Sequence, residues 1–385
     1  DELWRLGVPA KTEHNEAAPA QHELAPVYAS VNIATDQNQL TMETLKKVAL
    51  RQGLVCLLHE KPFAKVNGSG KHNNWSLNVD GQKSLLDQGK TPESNLRFLL
   101  FLTAVIWAVD EYADLLRVSV ASASNDQRLG GYEAPPAVIS IFLGDQLTDL
   151  LTEIETGGKS TIREGGNLKL GVTTLPNLPK DTSDRNRTSP FAFTGNKFEF
   201  RMVGSSMSIA DCNVMINTIV AETLSRMAER LESAADINEE CRMIIRDVMR
   251  EHKRIIFNGN NYSEEWRKEA ERRGLDCETS APLVLDRYLD KESVALFEAM
   301  NVYSHKEIEA RTEIKWEQYV KKIQIEARVL GELAMNHIVP IASRYEDVLL
   351  DKVWKMKQIG MESKSDTELI HKIQNRTSLI QKLVA

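Results

Sequence analysis

The sequence predicts an α+β protein: strands and helices mixed over residues 1–235, then a helical region over residues 236–385. Three observations carry this reading. Before Asp236, short apolar runs of strand length are separated by polar loops rich in Gly, Asn and Pro. After it, glycine becomes scarce, charge becomes dense and a helical period dominates. Within that second region Trp316, Val320, Ile323, Ala327, Leu330, Ala334 and His337 alternate four- and three-residue steps, a seam suited to another helix.

The elements follow in chain order. Residues 1–33 read as a helix end and two extended segments around the turn Ala17-Ala18-Pro19-Ala20. Thr41–Gln52 is helical by composition and closes at Gly53. Leu54–Leu58 suits a buried strand, and Asn74–Val79 alternates well enough for another. Thr91-Pro92-Glu93 resembles an N-cap with proline at the first helical position, opening a largely apolar helix to about Val120. Ala121–Pro136 is a Gly-rich loop, Ala137–Leu143 is β-like, and 144–183 is a long excursion with a short helix. Phe191–Val203 returns to strand, and Ser208-Ile-Ala-Asp211 fits a relaxed capping box before a helix to about Ala235. Pro340 should kink or end the helix that carries the seam.

Bulk properties exclude several classes. A chain of 385 residues with 42% hydrophobic and 27% charged residues is long enough for two or three domains with sizeable cores. The net charge of −7 argues against a general nucleic-acid binder. Cys56, Cys212, Cys241 and Cys277 form no CxxC pair, so a disulfide framework or zinc site is not expected and a reducing cytoplasm is. Phe98–Val109, the most apolar run, is too short to span a bilayer. The chain starts at Asp1 without methionine or an apolar leader and reads as part of a longer protein.

Four stretches could carry chemistry. Glu16 and Glu23 straddle a proline-containing turn that could bring two carboxylates to one hard cation. Asn67-Gly68-Ser69-Gly70 permits close backbone approach to a ligand, and His72 at its exit could ligate a metal. Arg128-Leu-Gly-Gly-Tyr132-Glu133 sets an arginine and a glutamate across a glycine hinge, as a closing flap would. Asp184-Arg185-Asn-Arg187 precedes Lys197-Phe-Glu199-Phe-Arg201, whose three ionisable groups share one face of a strand. Taken singly, each stretch also fits a solvated loop or a salt-bridged strand face.

Taken in order, the four resemble the catalytic domain of glutamine synthetase, over roughly residues 8–235. Asn15-Glu-Ala-Ala-Pro-Ala-Gln-His-Glu23 is similar to the family's paired-glutamate metal motif, and Asn67-Gly-Ser-Gly-Lys-His72 to its substrate and metal motif. Arg128–Pro135 resembles the flap over the glutamate site, and Phe198-Glu-Phe-Arg201 the strand with another metal glutamate and a substrate arginine. The long excursion and helical C-terminal half look most like the type III branch. The resemblance implies a curved antiparallel sheet with flanking helices, followed by a helical bundle serving assembly.

It also implies ATP-dependent ligation of ammonia to L-glutamate through γ-glutamyl phosphate, with two or three Mg²⁺ or Mn²⁺ ions per site. The implied metal ligands are Glu16, Glu23, His72 and Glu199. Asn67, Gly68, Arg128 and Arg201 would hold glutamate, and Asn74, Ser76, Lys197 and Arg187 the nucleotide. Glu133, Arg128 and Arg187 would be catalytic. A cytoplasmic homo-oligomer of two stacked hexameric rings is implied, with no nucleic-acid or membrane partner. The family's upstream acidic strand and N-terminal β-grasp domain are not in this sequence, so the stretch by itself is expected to be inactive. A γ-glutamyl-amine ligase on the same fold is the close alternative. A non-catalytic relative of the fold is another, although Glu16, Glu23, His72, Glu133, Glu199 and Arg201 are all retained.

Overall fold

The computed structural model describes all residues except 80, 82, 132, 158–166, 169–177 and 180–185. One helical turn, α1 (Glu2–Arg5), leads into an antiparallel hairpin of β1 (Ala10–Asn15) and β2 (His22–Pro26). Next, α2 (Val31–Arg51) starts well before the expected Thr41, and Gly53 ends it at φ +70°. No strand forms over Leu54–Leu58: Leu54 and Val55 are 65% and 80% exposed, so the run has no core to face. β3 (Gly70–Trp75) begins at the last glycine of the turn, earlier than expected.

Thr91 precedes a single 3₁₀ turn, Pro92–Ser94, and the expected long helix is divided in two. α3 (Leu96–Glu111) is capped by Asn95, whose side chain accepts the Phe98 N–H at 3.1 Å, and α4 (Ala113–Ser119) follows. The expected loop 121–136 opens instead with α5 (Ala123–Arg128), capped by Ser122. β4 (Ile141–Phe142) and α6 (Asp145–Thr156) come next. β5 (Asn167–Leu168) and β6 (Leu178–Pro179) form a short antiparallel pair; otherwise the excursion from 158 to 183 lies outside the described residues, as do Asp184 and Arg185.

The expected strand Phe191–Val203 is a hairpin of β7 (Phe191–Phe193) and β8 (Phe198–Gly204), with Gly195 at φ +91° in the turn. Sheet order is β3-β8-β7-β4, and β4 runs parallel to β7, so the sheet is mixed and not wholly antiparallel. The physical reason is connectivity: the stretch of chain between β4 and β7, which includes α6, is long enough to return in the same direction. Phe191 stacks on Phe198 at 5.0 Å, and Phe193 meets both Phe198 and Phe98, so the sheet's buried face locks onto α3. α7 (Ala210–Glu232) covers the same face, and the expected box at Ser208 reduces to Ala210 N–H donating to the Ser208 hydroxyl.

The composition change at 236 marks the N-cap of α8 (Ile237–His252), which packs on α3 and α6. Ala104, Met227, Ile244 and Val248 form one buried cluster there. α9 (Glu264–Arg272) and α10 (Lys291–Ala299) follow. The two compact units of the chain therefore run Asp1–Glu313 and Ile314–Ala385, and the first extends past the composition change. α11 (His305–Leu333) carries the seam from Trp316 to Leu330; the seam's last two residues, Ala334 and His337, lie in a π turn, Ala334–Ile338, and Pro340 follows at the start of α12 (Val339–Gln358). Proline's missing N–H explains the locally widened turn. α12 packs against α13 (Lys364–Val384). Among the described residues no helix is long and apolar enough to cross a membrane.

Candidate active site

The site is built on the open face of β3. Along that strand Asn73 and Trp75 turn inward to Asn213 and Asn217 on α7, at 3.0 and 2.8 Å, while His72 and Asn74 take the opposite face. Lys71 and Asn73 pair with Val203 and Phe200 of β8, so two β8 residues, Arg201 and Met202, oppose the single residue His72. This bulge aims His72 and Arg201 at a common space. His72 is open to solvent at its surface, yet burial of its surroundings and the Arg201 charge lower its pKa, with Glu199 and Glu16 acting oppositely.

The β1–β2 hairpin delivers the paired carboxylates. His14 lies opposite Glu23 in the ladder, and its Nε2 sits 2.6 Å from Glu16 and 3.2 Å from Glu23. Hydrogen bonding to Glu23 lowers the Glu16 pKa, whereas burial and then Glu16 itself raise that of Glu23. Among the described residues these three form a group whose ligand atoms all lie within 4.8 Å of one another. Two carboxylates and an imidazole suit a divalent cation, so the residues fit a metal there. Gln21 in the same hairpin turn docks the unit onto the glycine loop, donating to Gly68 O at 2.8 Å and Ser69 Oγ at 2.9 Å. Sequence reading attached no role to His14 or Gln21, although both lie inside or beside the quoted motif.

The flap and the glycine loop meet. Asn67 Nδ2 donates to Glu133 Oε2 at 2.8 Å, and Glu133 holds φ +66°, a left-handed conformation rare for a side chain of this size. Arg128 behaves differently from expectation. It is 6% exposed, and its guanidinium donates to Asn125 Oδ1 and to the carbonyls of Arg201, Met202 and Val203 at 3.0–3.4 Å. Its N–H groups are thus turned into the β8 backbone, away from any open face, and burial lowers its pKa to about 10. Gly70 is needed beneath it: a Cβ there would lie 2.7 Å from Arg128 Nε.

Glu199 and Arg201 are joined to each other. Arg201 donates through Nε and Nη2 to Glu199 Oε2 at 3.1 and 2.9 Å, and through Nη1 to the carbonyls of Asn186 and Ser189. Both residues are buried, so the pair is a rigid charged floor. Ser76 hydrogen-bonds Ser84 Oγ and Asn196 O at 2.6 and 3.0 Å, beside the turn that carries Lys197. Asn74 pairs with Glu199 across the ladder, and Arg187 is exposed just before β7.

A further wall comes from residues beyond 235. Asn186 donates to the carbonyls of Asn258 and Gly259, and burial plus the Glu133 carboxylate push the Tyr262 phenol up, with Arg201 and Arg128 opposing. The run Asn258-Gly-Asn-Asn-Tyr262 was the available signal for it.

Comparison with known proteins bears on the family and the fold. The glutamine synthetase catalytic-domain model matches residues 1–139, and the glutamine synthetase C-terminal-domain model matches residues 240–357. A type-3 glutamine synthetase of Dictyostelium discoideum is 44% identical over 382 residues, covering 98% of this chain and 52% of the relative. A glutamine synthetase of Bacteroides fragilis is 45% identical over 396 residues, covering 100% of this chain and 54% of the relative. The chain spans about half the length of these curated relatives. Solved structures titled as GmaS without ligand and as a GmaS/ADP complex superpose with TM-scores of 0.50 and 0.51 at 15% and 16% identity. They cover 83% and 84% of this chain, which in turn covers 58% and 59% of theirs, and the likeness is one of fold. With both domain models in chain order and relatives matched along nearly its whole length, the chain belongs to the glutamine synthetase family.

Proposed function

We propose that the whole protein ligates ammonia to the γ-carboxylate of L-glutamate at the expense of ATP. The observation that carries this reading is the Asn67–Glu133 contact at 2.8 Å, which joins the glycine loop to the flap over one space. The γ-carboxylate attacks the γ-phosphoryl group of ATP, giving an acyl phosphate and ADP. Ammonia then attacks the acyl carbon, Cδ, of the acyl phosphate, forming the amide C–N bond and displacing inorganic phosphate. Glu133 excludes water from the acyl phosphate and takes the proton that ammonium loses. Asn67 and Gly68 hold glutamate, and Arg201, its nitrogens bonded to Glu199 and to the carbonyls of Asn186 and Ser189, forms the floor beneath it.

Asn74 and Ser76 line the nucleotide side, with Lys197 and Arg187 neutralising phosphate oxygens. Glu16 and Glu23, with His14, would hold one divalent ion, and His72 with Glu199 another. Bound ions of this kind supply charge neutralisation on the transferring phosphoryl group, and either Mg²⁺ or Mn²⁺ suits carboxylate ligands. Arg128 is assigned a positioning role in place of a catalytic one, because its donors are spent on β8 carbonyls. A cytoplasmic homo-oligomer of two stacked hexameric rings completes the proposal, with the helical second unit contributing to assembly.

The full-length protein should release phosphate from ATP when given glutamate, Mg²⁺ and ammonium. Release with methylamine but none with ammonium would overturn ammonia as the acceptor.

A further inference from the structure

Glu60 lies outside every motif, yet it is fully buried and touches three of the segments that form the site. Its backbone carbonyl accepts the Ser69 N–H at 2.8 Å, and a Cβ on Gly68 would come within 2.5 Å of that oxygen. Its carboxylate accepts the Ser206 N–H and hydroxyl at 2.9 and 2.6 Å through Oε1, at the end of β8; the Ser124 hydroxyl on α5 favours its charged form, and Oε2 is buried without a hydrogen-bond partner among the described residues. Gly204 must lack a side chain because a Cβ there would lie 2.7 Å from Glu60 Cγ. The neighbouring charges are cations: Arg128 at the end of α5 and Lys71 on β3, whose ammonium donates to the carbonyls of Gly204, Ser205 and Met207. One buried carboxylate thus faces a buried guanidinium and a half-buried ammonium under the glycine loop.

We propose that Glu60 is a positioning residue for the glutamate-binding loop, fixing Asn67–Gly70 against β8 and the base of the flap. This rests on the reading that Asn67 and Gly68 hold glutamate. A buried ion set of this kind adds geometric definition more readily than net stability. The backbone contact sets the height of Gly68 and Ser69. The carboxylate sets where α5, and with it Arg128 and the flap, meets β8. Asn67 can meet Glu133 only if both are in register.

The test uses the full-length protein and calorimetric titration of glutamate alongside steady-state kinetics. Glu60→Gln keeps the shape and removes the charge, and should raise the glutamate Kd and KM about tenfold while leaving ATP affinity within about twofold. Unchanged glutamate affinity, or equal loss for glutamate and ATP, would overturn the proposal. Should Glu60→Gln not fold, Ser206→Ala decides, since it removes only the hydroxyl bonded to the Glu60 carboxylate at 2.6 Å. It should weaken glutamate about threefold with ATP unaffected, and no change would overturn the proposal. Wild-type protein that binds glutamate but ligates neither ammonia nor an amine refutes the catalytic reading alone, and the binding comparison still tests Glu60. Wild-type protein that does not bind glutamate refutes both.

Discussion

Replacing Gly70 by alanine tests how tightly the buried Arg128 is fixed. The added methyl would lie 2.7 Å from Nε and nearer still to the rest of the guanidinium. Relief would require that group to leave the carbonyls of Arg201, Met202 and Val203 and the Asn125 side chain. Overpacking of this kind costs about 1–3 kcal/mol, and stranding a charged donor in the interior adds about 1–3 kcal/mol. A loss of about 3 kcal/mol is therefore expected. For a cooperative unit of this size that is a fall in Tm of ~5 °C, read by circular dichroism.

Gly131→Ala supplies the contrast. No atom lies within 4 Å of the place its Cβ would occupy, and its φ is not in the left-handed region. It should change stability by no more than about 0.5 kcal/mol. Equal melting of the two variants would refute the inference that Arg128 is locked over Gly70, and would restore it as a candidate for facing substrate.

Three other outcomes are expected. Glu133→Ala should lower turnover about a hundredfold or more with ATP binding retained, since it removes the group that takes the proton; unchanged turnover by coupled assay would remove it from the mechanism. Asp236→Ala deletes the side chain that accepts the Asn238 and Glu239 N–H groups at 2.9 and 3.1 Å, and should cost about 1 kcal/mol in denaturant unfolding. Lysine at both Val320 and Ile323, which are 44% and 40% exposed, should reduce the particle mass measured by light scattering; an unchanged mass would leave the seam without a role in assembly.

What could be read from sequence follows the range of the forces involved. The hairpin of Glu16 and Glu23, the Asn67 loop and Gly53 as a helix end rest on local chemistry, and each took its expected place. Failures came where tertiary partners decide. Leu54–Leu58 has strand composition but no sheet edge to join, and composition carries no information about a missing neighbour. The division of the apolar helix at Tyr112 and the parallel placement of β4 depend on packing between segments far apart in sequence. Arg128 is the instructive case. Its motif fits a substrate-facing arginine, but whether a guanidinium faces a ligand or a backbone depends on where β8 carbonyls lie, and β8 is more than seventy residues away. Glu60 shows the converse: nothing adjacent marks it, because its partners Ser124, Gly204 and Ser206 converge only in the fold. Motifs therefore locate the atoms that meet substrate, while the residues that hold those atoms in register become visible only when distant glycines and carbonyls are seen to need them.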